Sequence, residues 1–185
     1  MASRKFHKRS ALVVRRRPGT VHHGLLLVPG LPALPAALGR GGTAYDKREG
    51  DGRTPAGLFH VLAGYYRADR MPRPVTRLPL APLRRDDGWC DAAGDRRYNR
   101  PVRLPLQGLE VSHERMWRRD AVYDVVLVID HNRRPRVQGR GSAVFIHLAR
   151  PGFAPTEGCI ALRRADMMRL LARLGPGQEV RIRHG

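Results

Sequence analysis

Lysine is nearly missing from this strongly basic chain: of 35 basic residues only Lys5, Lys8 and Lys47 are lysines, and the rest are arginines. Against 16 acidic residues they give a formal charge of +19, which invites a nucleic-acid reading. No zinc-finger spacing, helix-turn-helix pattern or RNA-binding aromatic motif accompanies them, so no nucleic-acid partner is expected. Cysteine is scarce too, with Cys90 and Cys159 alone, so a disulfide framework is excluded beyond one possible pair. No apolar run approaches the ~20 residues that span a bilayer, and there is neither an internal repeat nor a low-complexity tract. A chain of 185 residues then suits one domain with a real core.

What is present concentrates in Phe145-Ile-His-Leu-Ala-Arg-Pro-Gly-Phe-Ala-Pro-Thr-Glu-Gly-Cys-Ile-Ala-Leu162. His147 lies on an apolar, β-branched stretch that predicts a buried strand, which holds an imidazole rigidly. Thr156-Glu157-Gly158 leads into Cys159 through a turn able to point backbone N–H groups at one spot, as an oxyanion site requires. A thiol attacks as thiolate, and a neighbouring histidine can take or stabilise its proton. Residues 163–174 carry Leu, Met and Ala at helical spacing and stop at Gly175-Pro-Gly177. Cys159 is therefore expected just before a helix N-terminus, whose dipole favours a thiolate. Taken alone, either residue reads better as structural, a buried cysteine or a satisfied core histidine. A Cys90–Cys159 disulfide would consume the nucleophile, and Cys90 is read as a small buried or half-buried side chain.

A histidine on a strand followed by Thr156-Glu-Gly-Cys159 resembles the signature of the YkuD-type L,D-transpeptidases. A second stretch, Arg53-Thr-Pro-Ala-Gly-Leu-Phe59, is similar to that family's Thr-Pro-x-Gly-x-Phe strand start, about a hundred residues earlier. The Thr-Glu-Gly-Cys style of motif resembles a proteobacterial subgroup associated with 1–3 cross-links. The resemblance covers residues 25–183. It implies a mainly β fold, a β-sandwich or flattened barrel with one principal C-terminal helix and a loop-rich cap. It also implies a cysteine acyl-enzyme acting on peptidoglycan stem peptides, making 3–3 or 1–3 links. On that basis Cys159, His147 and Gly158 are the catalytic candidates, with the His147 ring oriented by the Leu148 carbonyl and the oxyanion held by the N–H groups of Glu157, Gly158 and Cys159. Arg150, Thr156, Glu157, Trp89, Tyr98, Asn99 and Arg100 are candidates for holding substrate. Many members carry a histidine before the Gly-Cys pair and an arginine two residues after the cysteine. Here Glu157 and Ala161 stand in those places, and Arg150 offers a replacement for one missing charge.

Residues 1–24 read as a basic segment, either the start of the domain or disordered, and residues 25–185 as the catalytic domain, with 65–118 a cap or insertion. The apolar run 24–38 superficially matches a secretory signal. Its three prolines and the Pro29-Gly30 turn instead predict a hairpin, so no clear signal peptide remains, while the family implies the periplasm or cell envelope. Further strands are expected over 57–62, 123–130, 143–148 and 179–182. No cofactor is expected: His113-Glu114 lacks the second zinc-binding histidine, Trp117 standing in its place, and His60 and His131 read as structural. The arginine excess has two readings, a compositional bias or attraction to carboxylates of a polyanionic wall polymer. A hydrolase on the same scaffold, or a binding module without catalysis, stays open at this point.

Overall fold

A computed structural model of the chain describes residues 11–105 and 111–185. Lys5, Lys8 and the start of the basic segment, as well as residues 106–110 of the expected insertion, lie outside the described residues. The architecture is mainly β with one helix, as the sequence implies. Its strands are β1 (Leu12–Arg16), β2 (His23–Leu27), β3 (Leu34–Ala37), β4 (Thr43–Ala44), β5 (Thr54–Pro55), β6 (Gly57–Tyr66), β7 (Leu80–Pro82), β8 (Asp87–Cys90), β9 (Arg100–Arg103), β10 (His113–Arg115), β11 (Val125–Ile129), β12 (Phe145–Leu148), β13 (Ile160–Leu162) and β14 (Gln178–Ile182). The helix is α1 (Arg164–Leu171).

One sheet closes on itself in the order β6-β11-β12-β13-β3-β2-β1-β14 and back to β6. The closing point is Val61, which pairs with Ile129 on one edge and Gln178 on the other. Beyond it β7 takes over the edge that β14 leaves. Closure removes the unpaired edges that invite aggregation. The interior is filled by Leu12, Val14, Leu26, Leu34, Leu127, Ile129, Ile146 and Val180, and Met167, Leu170 and Leu171 of α1 belong to the same cluster.

The run of valines in β11 is buried on both faces, which is why it reads as a continuous apolar stretch rather than an alternation. Val125, Leu127 and Ile129 fill the barrel, while Val126 and Val128 join a second cluster with Trp89, Met116, Tyr123, Phe145 and Cys159. That outer cluster is roofed by the small antiparallel sheet β10-β8-β9. The Trp89 and Phe145 rings meet edge to face at 5.0 Å, a contact worth about 1 kcal/mol beyond its area. Because side chains alternate along β12, Ile146 and Leu148 face the barrel core and Phe145 and His147 face outward, beneath this roof. The fold thus puts the site on the outside of the barrel wall.

Within the basic segment, β1 pairs with β2 and β14, and its arginines mask an alternation in which Leu12 and Val14 are buried. One element absent from the sequence reading is β13, which follows Cys159 directly, so the α1 N-terminus begins five residues after the cysteine, at Arg164. β2 and β3 pair antiparallel across the Pro29-Gly30 turn, as the hairpin reading expects.

Candidate active site

The turn that carries Cys159 is built from hydroxyls and glycine. Thr156 is buried; its Oγ1 donates to the Cys159 carbonyl at 2.7 Å and accepts from the Gly158 N–H at 3.2 Å. Thr54 of β5, fully buried, adds a longer bond to the same carbonyl (3.4 Å) and accepts from the Gly39 N–H at 2.8 Å. The two motifs singled out in the sequence therefore lock together through their threonines. Gly158 has φ +133°, and a Cβ on it would lie 2.7 Å from the Arg53 carbonyl oxygen, so only glycine fits there. The N–H of Gly158 is spent on Thr156, whereas those of Glu157 and Cys159 have no hydrogen-bond partner among the described residues. Of the three N–H groups expected as oxyanion donors, that of Gly158 is therefore already engaged.

The Cys159 thiol donates to the Ala143 carbonyl and accepts from the Phe145 N–H, both at 3.3 Å. Ala143 itself has φ +47°. His147 Nδ1 lies 2.9 Å from the Leu148 carbonyl, the partner the resemblance implies. A carbonyl only accepts, so Nδ1 carries the proton and Nε2 keeps its lone pair. The ring meets Tyr123 edge to face at 5.3 Å.

Burial governs the charge state of both groups. It pushes the thiol up to about 12, with Glu114 adding to the rise while the Phe145 N–H and the Lys47 ammonium oppose it. It pushes His147 down to about 4, against the hydrogen bond to Leu148 and helped by Arg150 and Arg118. At neutral pH the resting site therefore holds a thiol and a neutral imidazole. Strand β13 lies between Cys159 and α1, so the helix begins farther along than the dipole reading supposes, and burial favours the neutral thiol.

Cys159 and His147 line one cavity of about 400 Å³. Gly158, Thr156, Glu157 and Arg150, all singled out in the sequence, line it as well. Glu157 is exposed and accepts from Arg40 Nε at 2.8 Å, a surface pair worth under about 1 kcal/mol. Trp89, Tyr98, Asn99 and Arg100 do not reach the cavity wall. The first three are buried beneath it: Asn99 Oδ1 accepts from Trp89 Nε1 at 2.9 Å and from the Ala143 N–H at 3.3 Å, and its Nδ2 donates to the carbonyls of His131 (3.0 Å) and Asn132 (2.9 Å). Tyr98 donates to Glu49, which also takes the Ser142 hydroxyl at 2.8 Å. This framework braces the Ala143 segment that holds the thiol. Arg100 is exposed on β9.

The sequence reading missed Glu114, Arg118, Tyr123 and Asp91, which complete the wall. Glu114 pairs with Arg118 at 3.2 Å, and burial raises its carboxyl above the ordinary range. Arg118 is held charged above all by its hydrogen bonds to Asp120, and burial lifts Tyr123 well above the usual phenol range. The signal for Glu114 and Arg118 was the dense polar run from Ser112 to Arg118, and that for Asp91 the polar cluster 86–91. Both cysteines are free thiols, so no disulfide consumes Cys159. Among the described residues no three His, Cys, Asp or Glu side chains converge to hold a metal ion, and no helix is long and apolar enough to cross a membrane.

A family model described as the YkuD L,D-transpeptidase catalytic domain matches residues 29–182. Among solved structures, L,D-transpeptidase 1 of Mycobacterium tuberculosis matches at 16% identity over 93% of this chain and 61% of that one, with a TM-score of 0.39. L,D-transpeptidase 3 of the same organism, in complex with a faropenem-derived adduct, matches at 17% over 94% and 60%, with a TM-score of 0.41. An L,D-transpeptidase from Mycobacterium smegmatis matches at 17% over 94% and 58%, with a TM-score of 0.38. The chain spans about three fifths of the length of these structures. A comparison with curated proteins finds no match.

Proposed function

Since the chain belongs to the YkuD L,D-transpeptidase catalytic-domain family, we propose that it is a cysteine L,D-transpeptidase acting on peptidoglycan stem peptides at the cell envelope. The observation that carries the reading is the shared cavity: a thiol, a histidine of fixed tautomer and two turn N–H groups without a partner among the described residues belong to residues that line it.

His147 Nε2 takes the Cys159 proton as the sulfur attacks the carbonyl of a bond between an L-centre and a D-residue, so thiolate forms only as the new S–C bond does. The N–H groups of Glu157 and Cys159 receive the oxyanion. Collapse of the adduct breaks the C–N bond, His147 returns the proton to the leaving amine, and a thioester remains on Cys159. An incoming amine then loses its proton to His147, attacks the thioester and restores the thiol. Gly158 acts by letting the turn form, and Thr156 by fixing it. Water in place of the amine gives hydrolysis through the same steps, and product analysis with and without added amine separates the two.

The cross-link type, 3–3 or 1–3, follows from which stem residue supplies the donor carbonyl. Cell walls digested from bacteria expressing the wild type should contain such links, and walls from bacteria expressing Cys159→Ala should lack them. Identical wall compositions would refute the proposal. A carbapenem should likewise add its mass to the wild type and leave Cys159→Ala unmodified.

A further inference from the structure

Beside the Cys159 cavity lies a second depression of about 710 Å³, lined by Arg85, Arg115, Trp117, Arg118, Arg119 and Asp120. Arg118 lines both, so the two are neighbours across its side chain. The alternation of β10 explains the division: Glu114 lines the thiol cavity and its neighbour Arg115 lines the arginine groove. The one acid in the groove, Asp120, is already taken by Arg118 through hydrogen bonds of 2.7 and 2.8 Å. Arg67 stacks on Trp117 at 3.7 Å and is engaged by Asp69 and the Arg118 carbonyl. Arg85, Arg115 and Arg119 are different: each is exposed, and none has a side-chain hydrogen bond or ion pair among the described residues. Arg85 makes only a cation–π approach to Trp117, at 5.3 Å.

Three exposed guanidiniums without an acidic partner among the described residues surround Trp117 and give the groove a cationic lining that suits an anion. A guanidinium presents a planar fork that fits carboxylate oxygens two at a time. We propose that this groove is a subsite for the free carboxylates of the peptide whose scissile carbonyl reaches Cys159, an assignment that rests on the transpeptidase reading. It gives part of the arginine excess a purpose, namely holding an acidic peptide in extended register along the β10 edge.

The test measures binding apart from turnover. Cys159→Ala protein is titrated calorimetrically with disaccharide tetrapeptide in two forms, one with free side carboxyls and one with them converted to carboxamides. The titration is repeated with Arg85→Ala/Arg115→Ala/Arg119→Ala added to that background, and with a triple Arg→Gln version should the alanine variant fold poorly. The free-acid peptide should bind at least about tenfold more tightly than the amide, since each exposed contact is worth roughly a two- to fivefold factor. The triple variant should lose that difference, as should 0.5 M salt. Equal affinity of the two peptides, or a preference that survives in the triple variant, overturns the proposal. So does tighter binding of a short DNA duplex than of the free-acid peptide at 150 mM salt. An arginine-dependent preference in protein whose wild-type form yields no transfer product would sink the transpeptidase reading and leave the carboxylate subsite standing.

Discussion

The charge state of the resting site gives the sharpest prediction. With burial pushing the thiol up to about 12 and the imidazole down to about 4, both groups rest in their neutral forms at pH 7.5. A thiolate–imidazolium pair of the kind found in strongly activated cysteine enzymes would instead be almost fully formed. Thiolate absorbance near 240 nm, taken as the difference between wild type and Cys159→Ser so that Cys90 cancels, should show no step between pH 5 and 9. Alkylation of Cys159 by iodoacetamide should rise about tenfold per pH unit from 7 to 10 with no plateau. Reaction with a proper acyl donor should be level from about pH 5.5 to 9, because the neutral pair is the reacting form, and should fall only as His147 takes a proton near pH 4. The same shifts bear on stability. His147 is depressed in the folded state, so its contribution is whole above about 6.5 and is lost as pH falls toward 4, roughly 3 kcal/mol in all. Cys159 is raised, so its contribution is whole below about 9 and is lost as pH climbs to 12, roughly 4 kcal/mol. An absorbance step centred below pH 7 would refute the reasoning.

Asn99→Ala strands the Trp89 N–H and two carbonyls beneath the site and puts alanine at φ +54°; at about 1 kcal/mol or more for each group, the loss should be near 4 kcal/mol, or a fall of about 12 °C in Tm. A change under 2 °C by calorimetry would remove the framework from the account. Gly158→Ala drives a Cβ against the Arg53 carbonyl, so donor acylation followed by mass spectrometry should slow at least a hundredfold, and an unchanged rate would count against the turn geometry. Thr54→Val leaves the buried Gly39 N–H unpaired and should cost about 2 kcal/mol in denaturant unfolding, whereas Thr54→Ser should be nearly neutral; equal losses would point to methyl packing instead.

Much of the site was legible because its chemistry is local in sequence. His147, Thr156, Gly158 and Cys159 fall within thirteen residues of one another, and the glycine and threonine are demanded by the turn itself. The predominance of strands followed from short apolar stretches and a Pro-Gly hairpin, and the resemblance implied their closure into a sandwich or flattened barrel. What escaped has a physical reason in each case. β1 hides its alternation beneath paired arginines, and β13 is three buried residues, too short to show a period. Glu114 and Arg118 line the Cys159 cavity because the β10-β8-β9 sheet folds over the barrel wall, a placement that no local pattern encodes. Trp89, Tyr98 and Asn99 had the composition of a gripping surface, yet the hydrogen bonds of Asn99 turn them inward as a brace. The helix-dipole reading could not foresee β13 between Cys159 and α1, nor the burial that favours the neutral forms of both groups.

The central claim is an acyl-enzyme on Cys159. Intact-mass spectrometry of the wild type mixed briefly with disaccharide tetrapeptide should show a covalent thioester whose mass equals the donor less its terminal D-residue. Free D-amino acid should appear in step, and Cys159→Ala should show neither. No adduct and no released D-amino acid from the wild type, or the same adduct on Cys159→Ala, would contradict it.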